Sequence, residues 1–219
     1  AFPDAVTPEA EEKLFAIFEE LKAKMDLRPA EGALWGPRLD RIARWVIAQE
    51  RARRQGVTRI YAERWGRMEV PGTEGFELYG KADRIEELKE GGFAVLDYKT
   101  GKPPSNKEVG DGRAPQLVLE AAMLGAGAFE EVPAGGAREL VYWQLSGGRE
   151  AGKEQSLPVT PEFVAESLQK LARLVNFYRD PAMPFRARPR PEFSLRFNDY
   201  AHLARIKEWA GDEEEEWSP

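Results

Sequence analysis

Two short segments constrain this chain more than any other feature: Gly80-Lys81-Ala82-Asp83-Arg84-Ile85 and Val95-Leu96-Asp97-Tyr98-Lys99-Thr100-Gly101. Both read as β-strands, and the residues between them, Glu86 to Gly92, end in Gly91-Gly92, the chemistry of a hairpin turn. Side chains alternate across a strand, so Asp97 and Lys99 share a face. A turn centred near Glu90 sets Asp83 opposite Asp97. Side chains opposed in this way stand about 5 Å apart at Cβ, where two carboxylates repel. Such a pair persists through a raised pKa or a bound cation. With a lysine beside it, a divalent metal is the economical answer.

These residue types suit phosphodiester hydrolysis. A hard cation polarises a phosphoryl oxygen and lowers the pKa of a water. Mg²⁺ takes oxygen ligands, usually one or two carboxylates, and keeps several waters. The expected ligands for Mg²⁺ or Mn²⁺ are Asp83, Asp97 and the Tyr98 backbone carbonyl. Lys99 would orient the attacking water or stabilise the developing negative charge. A lone D-x-K triplet is commonplace on exposed hairpins. Here it follows an apolar strand entry, stands one hairpin from G-x-x-D, and precedes a helix led by glutamine.

In that helix Gln116 and Glu120 are four residues apart and share a face. Gln116 reads as a contact to substrate phosphate or to a metal-associated water, against a plain solvent-facing helix start. Glu120 reads either as an outer-shell carboxylate or as a surface residue. Glu63, in the preceding strand, either adds a carboxylate to the site or pairs with a nearby arginine. Trp35, Trp45, Trp65 and Trp143 are read as core or interface residues rather than base-stacking platforms. His202, the one histidine, reads as a surface residue of a last helix.

G-x-x-D-R-I, V-L-D-Y-K-T-G and Ala114-Pro115-Gln116-Leu117-x-Leu119-Glu120-Ala121-Ala122 together resemble the RecB-type nuclease domain of the PD-(D/E)XK superfamily. Within it the chain is similar to the C-terminal nuclease domain of AddB, from alphaproteobacterial-type AddAB helicase–nucleases. Tyr200 to Trp209 also resembles the end of that domain. The resemblance implies a restriction-endonuclease-like α/β fold, a mixed sheet flanked by helices. It implies a Mg²⁺-dependent exonuclease for double-strand-break processing, with single-stranded DNA as substrate and an AddA-type helicase as partner subunit. Two departures stand out. Position 120 holds Glu where the family helix has Tyr, as that AddB subgroup also tends to show. The family's upstream G-x-x-x-H motif is missing, so the chain reads as an excised domain whose metal site is incomplete. Two other readings compete: a nuclease-like fold with a structural or DNA-guiding role, and a stand-alone exonuclease such as a CRISPR-associated one.

Composition narrows the classes. With no cysteine, the chain holds neither a disulfide framework nor the thiolate-bound iron–sulfur cluster of some relatives. No apolar run approaches a membrane span and no signal peptide is visible, so the expectation is a cytoplasmic protein without membrane contact. The net charge of −6 is unfavourable for a nucleic-acid enzyme, but Asp212 to Glu216 supplies five of the negative charges. Against it stand nine arginines between residues 38 and 67, with only Asp40, Glu50 and Glu63 as acids. Arg51, Arg53 and Arg54 are the expected DNA-binding residues of this stretch, and each also reads as part of a solvated helix face. A second basic cluster is Arg186, Arg188 and Arg190, in a proline-rich loop over 181–191.

Hydrophobic periodicity completes the outline. Helices are expected at 7–25, 37–55, 115–125, 160–180 and 199–210, and strands near 59–68, 76–85, 93–100 and 139–145. One nuclease domain over 1–211 and a disordered acidic tail over 212–219 are the expected organisation.

Overall fold

A computed structural model describes residues 6–25, 28–185 and 203. The expected helix at 199–210, His202, Arg186, Arg188, Arg190 and the acidic tail lie outside the described residues. The chain packs as two compact units, Ala1–Arg173 and Leu174–Pro219, a boundary the sequence reading did not draw.

The first unit is α/β. Helices α1 (Pro8–Lys24) and α2 (Pro29–Arg53) lead through a 3-10 turn (Arg54–Gly56) into β1 (Val57–Glu69), β2 (Glu77–Leu88) and β3 (Phe93–Lys99). Then come α3 (Asn106–Gly110), α4 (Gln116–Gly125), β4 (Ala137–Leu145), β5 (Gly152–Pro158) and α5 (Pro161–Arg179), whose last turns belong to the second unit. The strands form a mixed five-stranded sheet in the order β1-β2-β3-β4-β5. Only β3 and β4 run parallel. A parallel neighbour needs a crossover, and α4 supplies it. Both faces of β3 are covered, so Phe93 to Asp97 is buried without alternation.

One face of the sheet packs on α4 through Ile85, Val95, Leu117, Val118, Ala121 and Leu124, with Phe163 and Val164 of α5 at the edge. The other face packs Ala94, Leu96, Val141 and Trp143 under Trp45 and Val46 of α2. Gly152 makes that contact possible, because a Cβ there would come within 2.5 Å of the Trp45 ring. The β2–β3 turn closes through Leu88 and Gly92, with Gly91 and Gly92 at φ 82° and 78°. Among the described residues, no helix is long and apolar enough to cross a membrane.

Three expectations need correcting. Pro37 does not begin α2 but lies inside it; only one backbone donor is lost, and the capped start at Arg28 and Glu31 carries the helix through. Strand β5 was not foreseen, because its Lys, Glu and Gln residues give an edge strand little apolar signal. Trp143 is buried and Trp45 half-buried against it, but Trp35 and Trp65 are exposed and are not core residues.

Candidate active site

Strand pairing places the two aspartates together. Arg84 faces Leu96 and Ile85 faces Val95, and one further step in this register sets Asp83 opposite Asp97. At that step the Tyr98 N–H donates to Asp83 Oδ2 at 3.2 Å. Asp97 follows four apolar residues at the start of β3, and its side chain is nearly buried. Lys99, two residues on, reaches it at 2.9 Å from Oδ2. Gln116, in the first turn of α4, donates to Asp97 Oδ1 at 2.8 Å and to Glu120 Oε1 at 3.2 Å. The Gln116 carbonyl accepts from Lys99 at 3.1 Å, which fixes the orientation of the amide. Asp83, Asp97, Lys99, Gln116 and Glu120 thus converge from β2, β3 and α4.

The electrostatics are those of crowded carboxylates. Burial raises the Asp83 pKa; the Tyr98 N–H opposes this, and the charges of Asp97 and Glu63 add to it. Glu120 is buried and pushed up to about 8, by burial first, against the Gln116 hydrogen bond and with the fields of Asp97 and Asp83. Tyr142, the β4 partner of Asp97, is pushed up to about 12 by burial and by the charges of Asp97 and Glu120. Glu63 pairs with Lys81. It lies in the row of Asp83 and has a left-handed backbone, φ 57°, uncommon for a side-chain-bearing residue.

This donor set fits a hard cation. Glu120 Oε2 is buried without a hydrogen bond, and none is directed at Asp97 Oδ2 although the Lys99 ammonium lies near it. Unsatisfied buried oxygens beside a second carboxylate call for a positive partner. Among the described residues, no group of three or more His, Cys, Asp or Glu is placed to hold a metal.

Behind the pair, on the α2 face, lies a charged layer that the sequence reading missed. Arg84 and Tyr98 are the chain neighbours of Asp83 and Asp97. Arg84 is buried, pairs with Glu50 of α2 and with Glu86 at 2.5 Å, and lies 5.4 Å over the Trp143 ring. The Tyr98 and Trp143 rings meet edge to face at 5.8 Å. Strand alternation was the available signal: it places Arg84 and Glu86 on the side opposite Ile85, and charges so placed need partners.

Arg53 belongs to this layer, which corrects its expected place on a DNA path. Its guanidinium reaches Glu86 at 2.7 Å, Glu139 at 3.0 Å and Glu154 at 3.2 Å, and its side chain is only 11% exposed. Burial works against its charge, but the Glu86 hydrogen bond and the three carboxylates outweigh it and raise the pKa. Arg51 pairs with Glu11 of α1 at the surface, and Arg54 with Glu50. Elsewhere in the basic stretch, Arg41 donates to the Gly147 carbonyl, Arg64 pairs with Glu131, and Arg67 pairs with Glu77. Among the described residues, five of the nine arginines in this stretch are thus already paired with carboxylates.

A family model described as the PD-(D/E)XK nuclease superfamily matches residues 2–192. The chain belongs to the PD-(D/E)XK nuclease superfamily. Nucleases of this superfamily typically use divalent metals such as Mg²⁺, in keeping with the oxygen donors of Asp83 and Asp97. The mixed sheet between helices accords with the superfamily fold. An uncharacterized protein of Rickettsia typhi is 37% identical over 93 residues, 42% of this chain and 11% of that protein. Uncharacterized proteins of Rickettsia conorii and Rickettsia bellii are 37% and 34% identical over 92 and 91 residues, 41% of this chain in each case. The chain spans about a tenth of the length of the curated relatives it matches.

Proposed function

We propose that the chain is the Mg²⁺- or Mn²⁺-dependent deoxyribonuclease module of an AddAB-type helicase–nuclease that processes double-strand breaks, acting as an exonuclease on single strands. The observation that carries this reading is the convergence of Lys99 and Gln116 on Asp97, one register step from Asp83. Asp83, Asp97 and the Tyr98 carbonyl would hold the cation. When bound, it supplies charge to the phosphoryl oxygen and acidity to a water.

The chain's own groups do the remainder. Lys99 is held between Asp97 and Gln116, so its ammonium is aimed before substrate arrives. From there it stabilises charge that develops on a phosphate oxygen or orients the water that attacks phosphorus. Gln116 locks the lysine and the aspartate into one geometry and spaces Glu120 from Asp97. Glu120, with its raised pKa, holds a proton near neutral pH while the cation is absent. An AddA-type helicase is the proposed partner. The resemblance of the motifs and of the chain's last segment supports the AddB reading.

Lys99→Ala in the intact parent protein tests the assignment. Cleavage by this domain is expected to fall by at least 10²-fold, as for loss of a group that acts on the transition state. ATP-driven unwinding should continue. Equal cleavage by the wild type and the variant would refute the role of Lys99.

A further inference from the structure

The row that holds Asp97 continues across the sheet. Asp97 lies opposite Tyr142 of β4, and Tyr142 opposite Gln155 of β5. One row further along, Lys99 lies opposite Gln144, and Gln144 opposite Lys153. Cross-strand partners share a face of the sheet, so Gln144 and Lys153 stand on the face from which Lys99 reaches Gln116. Neighbouring contacts agree. Gln155 donates to the Pro104 carbonyl at 2.7 Å and to Asn106 Oδ1 at 3.2 Å, which brings α3 and the loop before it onto this face. Glu154, between Lys153 and Gln155, turns the other way, accepting from the Trp143 indole at 2.8 Å and pairing with Arg53.

This second row is open. Lys153 is exposed, and so is Lys107, the neighbour of Asn106 in α3. Neither lysine forms an ion pair among the described residues. The acids of this flank are already engaged: Glu108 accepts from the Ser105 N–H at 2.8 Å, and Asp111 pairs with Arg113 at 3.1 Å. On the opposite flank, toward the β1–β2 ribbon, Lys81 pairs with Glu63 and Arg67 with Glu77. Of the two flanks, the β4–β5 side thus carries the unpaired positive charge.

Charge and position together select the ligand. Asp83, Asp97 and Glu120 crowd acidic groups at the reaction centre, where they repel a phosphodiester backbone. A strand bound there needs cations close by. Adjacent strands stand about 4.8 Å apart, so Lys153 lies about 10 Å from Lys99 across the sheet. A DNA strand advances about 3.4 Å per phosphate, so this interval matches about three nucleotides. Lysine meets phosphate as a point charge, and the half-buried Gln144 offers an amide donor between the two lysines. Contacts of this kind fix the register of a strand without reading its bases.

We propose that Lys153 and Lys107, with Gln144 between Lys153 and Lys99, bind the phosphate backbone of the DNA strand about three nucleotides from the phosphate held at Lys99. The proposal rests on the nuclease reading above and names a substrate-binding surface of the same site. It sets the DNA track on the α4 face of β4 and β5, across the sheet from the arginines of α2.

The test is equilibrium binding of an end-labelled oligothymidylate to the full 219-residue chain in EDTA, over a range of salt concentrations. Each phosphate contact to a single strand adds about 0.7 to the slope of log affinity against log salt. The Lys107→Gln, Lys153→Gln double variant is expected to bind more weakly at low salt, with a slope shallower by about 1.4. The Lys107→Arg, Lys153→Arg variant keeps both charges and should keep the wild-type slope. Lys13→Gln controls for net charge, because α1 packs on α2, across the sheet from α4; its slope should stay that of the wild type. Both lysines of the track are exposed, so thermal melting of the glutamine variant should match the wild type. Wild-type affinity and slope in that variant would overturn the proposal. An equal loss per charge in Lys13→Gln, or no binding by the wild-type chain, would overturn it as well. Because binding is read without metal, failure here is distinct from failure of the nuclease reading, which the cleavage assay on Lys99→Ala decides.

Discussion

Glu120 sits where a carboxylate charge is hardest to keep. It is buried on α4, one of its oxygens has no hydrogen bond, and Asp97 and Asp83 repel its charge. Its pKa rises from an ordinary 4.5 to about 8. A carboxyl whose folded pKa is raised binds more protons in the folded than in the unfolded state between those two values. Metal-free stability therefore falls as pH climbs from 4.5 to about 8. For one proton the slope is at most about 1.4 kcal/mol per pH unit. Urea denaturation in EDTA at pH 5 and pH 8 should show the fall in the wild type and a much smaller one in Glu120→Gln. The raised pKa of Asp83 leaves a residual slope of the same sign. An unchanged slope in the variant would assign the linkage to another group. That Gln116 and Glu120 share a helix face was legible from their spacing. That Glu120 is buried was not, because burial depends on how α4 lies across β3 and β4.

At the scale of the elements, α2 is tied to the sheet by charge as well as by apolar contact. Arg53 is one cation of that tie, beside the Arg84–Glu50 pair, and Glu86, with no exposed surface, is its most buried anion. Arg53→Ala strands that anion, and removing one partner of a buried pair costs about 3–5 kcal/mol. The lower end applies, because Arg84 also reaches Glu86. Arg51→Ala breaks only the surface pair with Glu11 and should cost less than about 1 kcal/mol. Urea midpoints of the two variants check the contrast; equal small losses would mean that the Arg53 layer is solvated. A second feature of this scale is the ribbon itself. Core residues on β1 and β2 fall on odd positions at Tyr61 and Ile85, but on even ones at Met68, Leu78 and Ala82. The phase changes at the row of Glu63 and Asp83, where Glu63 takes its left-handed backbone. A left-handed residue with a side chain costs on the order of 1–3 kcal/mol. Here it turns the ribbon so that one face of β2 buries Ile85 while the outer rows carry Trp65 and Tyr79 into solvent.

For the whole molecule, the candidate site joins three elements that meet only in the folded state: β2 with Asp83, β3 with Asp97 and Lys99, and α4 with Gln116. A cation held by Asp83 and Asp97 binds the native chain and not the unfolded one, so it must stabilise the fold. At a hundredfold excess over its dissociation constant the gain is about 2.7 kcal/mol. Mg²⁺ should therefore raise the melting temperature of the wild type and leave that of the Asp83→Asn, Asp97→Asn double variant unmoved. An equal rise in both would place the cation elsewhere. What the sequence determined by itself is local. Gly91-Gly92 closes the turn, and that turn sets the β2–β3 register, because turn chemistry and the two-residue period act over a few residues. The α/β class was legible for the same reason, from apolar periodicity and caps such as Thr7-Pro8. The tertiary structure decided what distant elements cover. It withdrew Arg53 into the sheet, set Gln116 against Asp97 and changed the phase of the β1–β2 ribbon at Glu63. A residue's exposure is a property of whatever packs over it, and no local pattern carries that information.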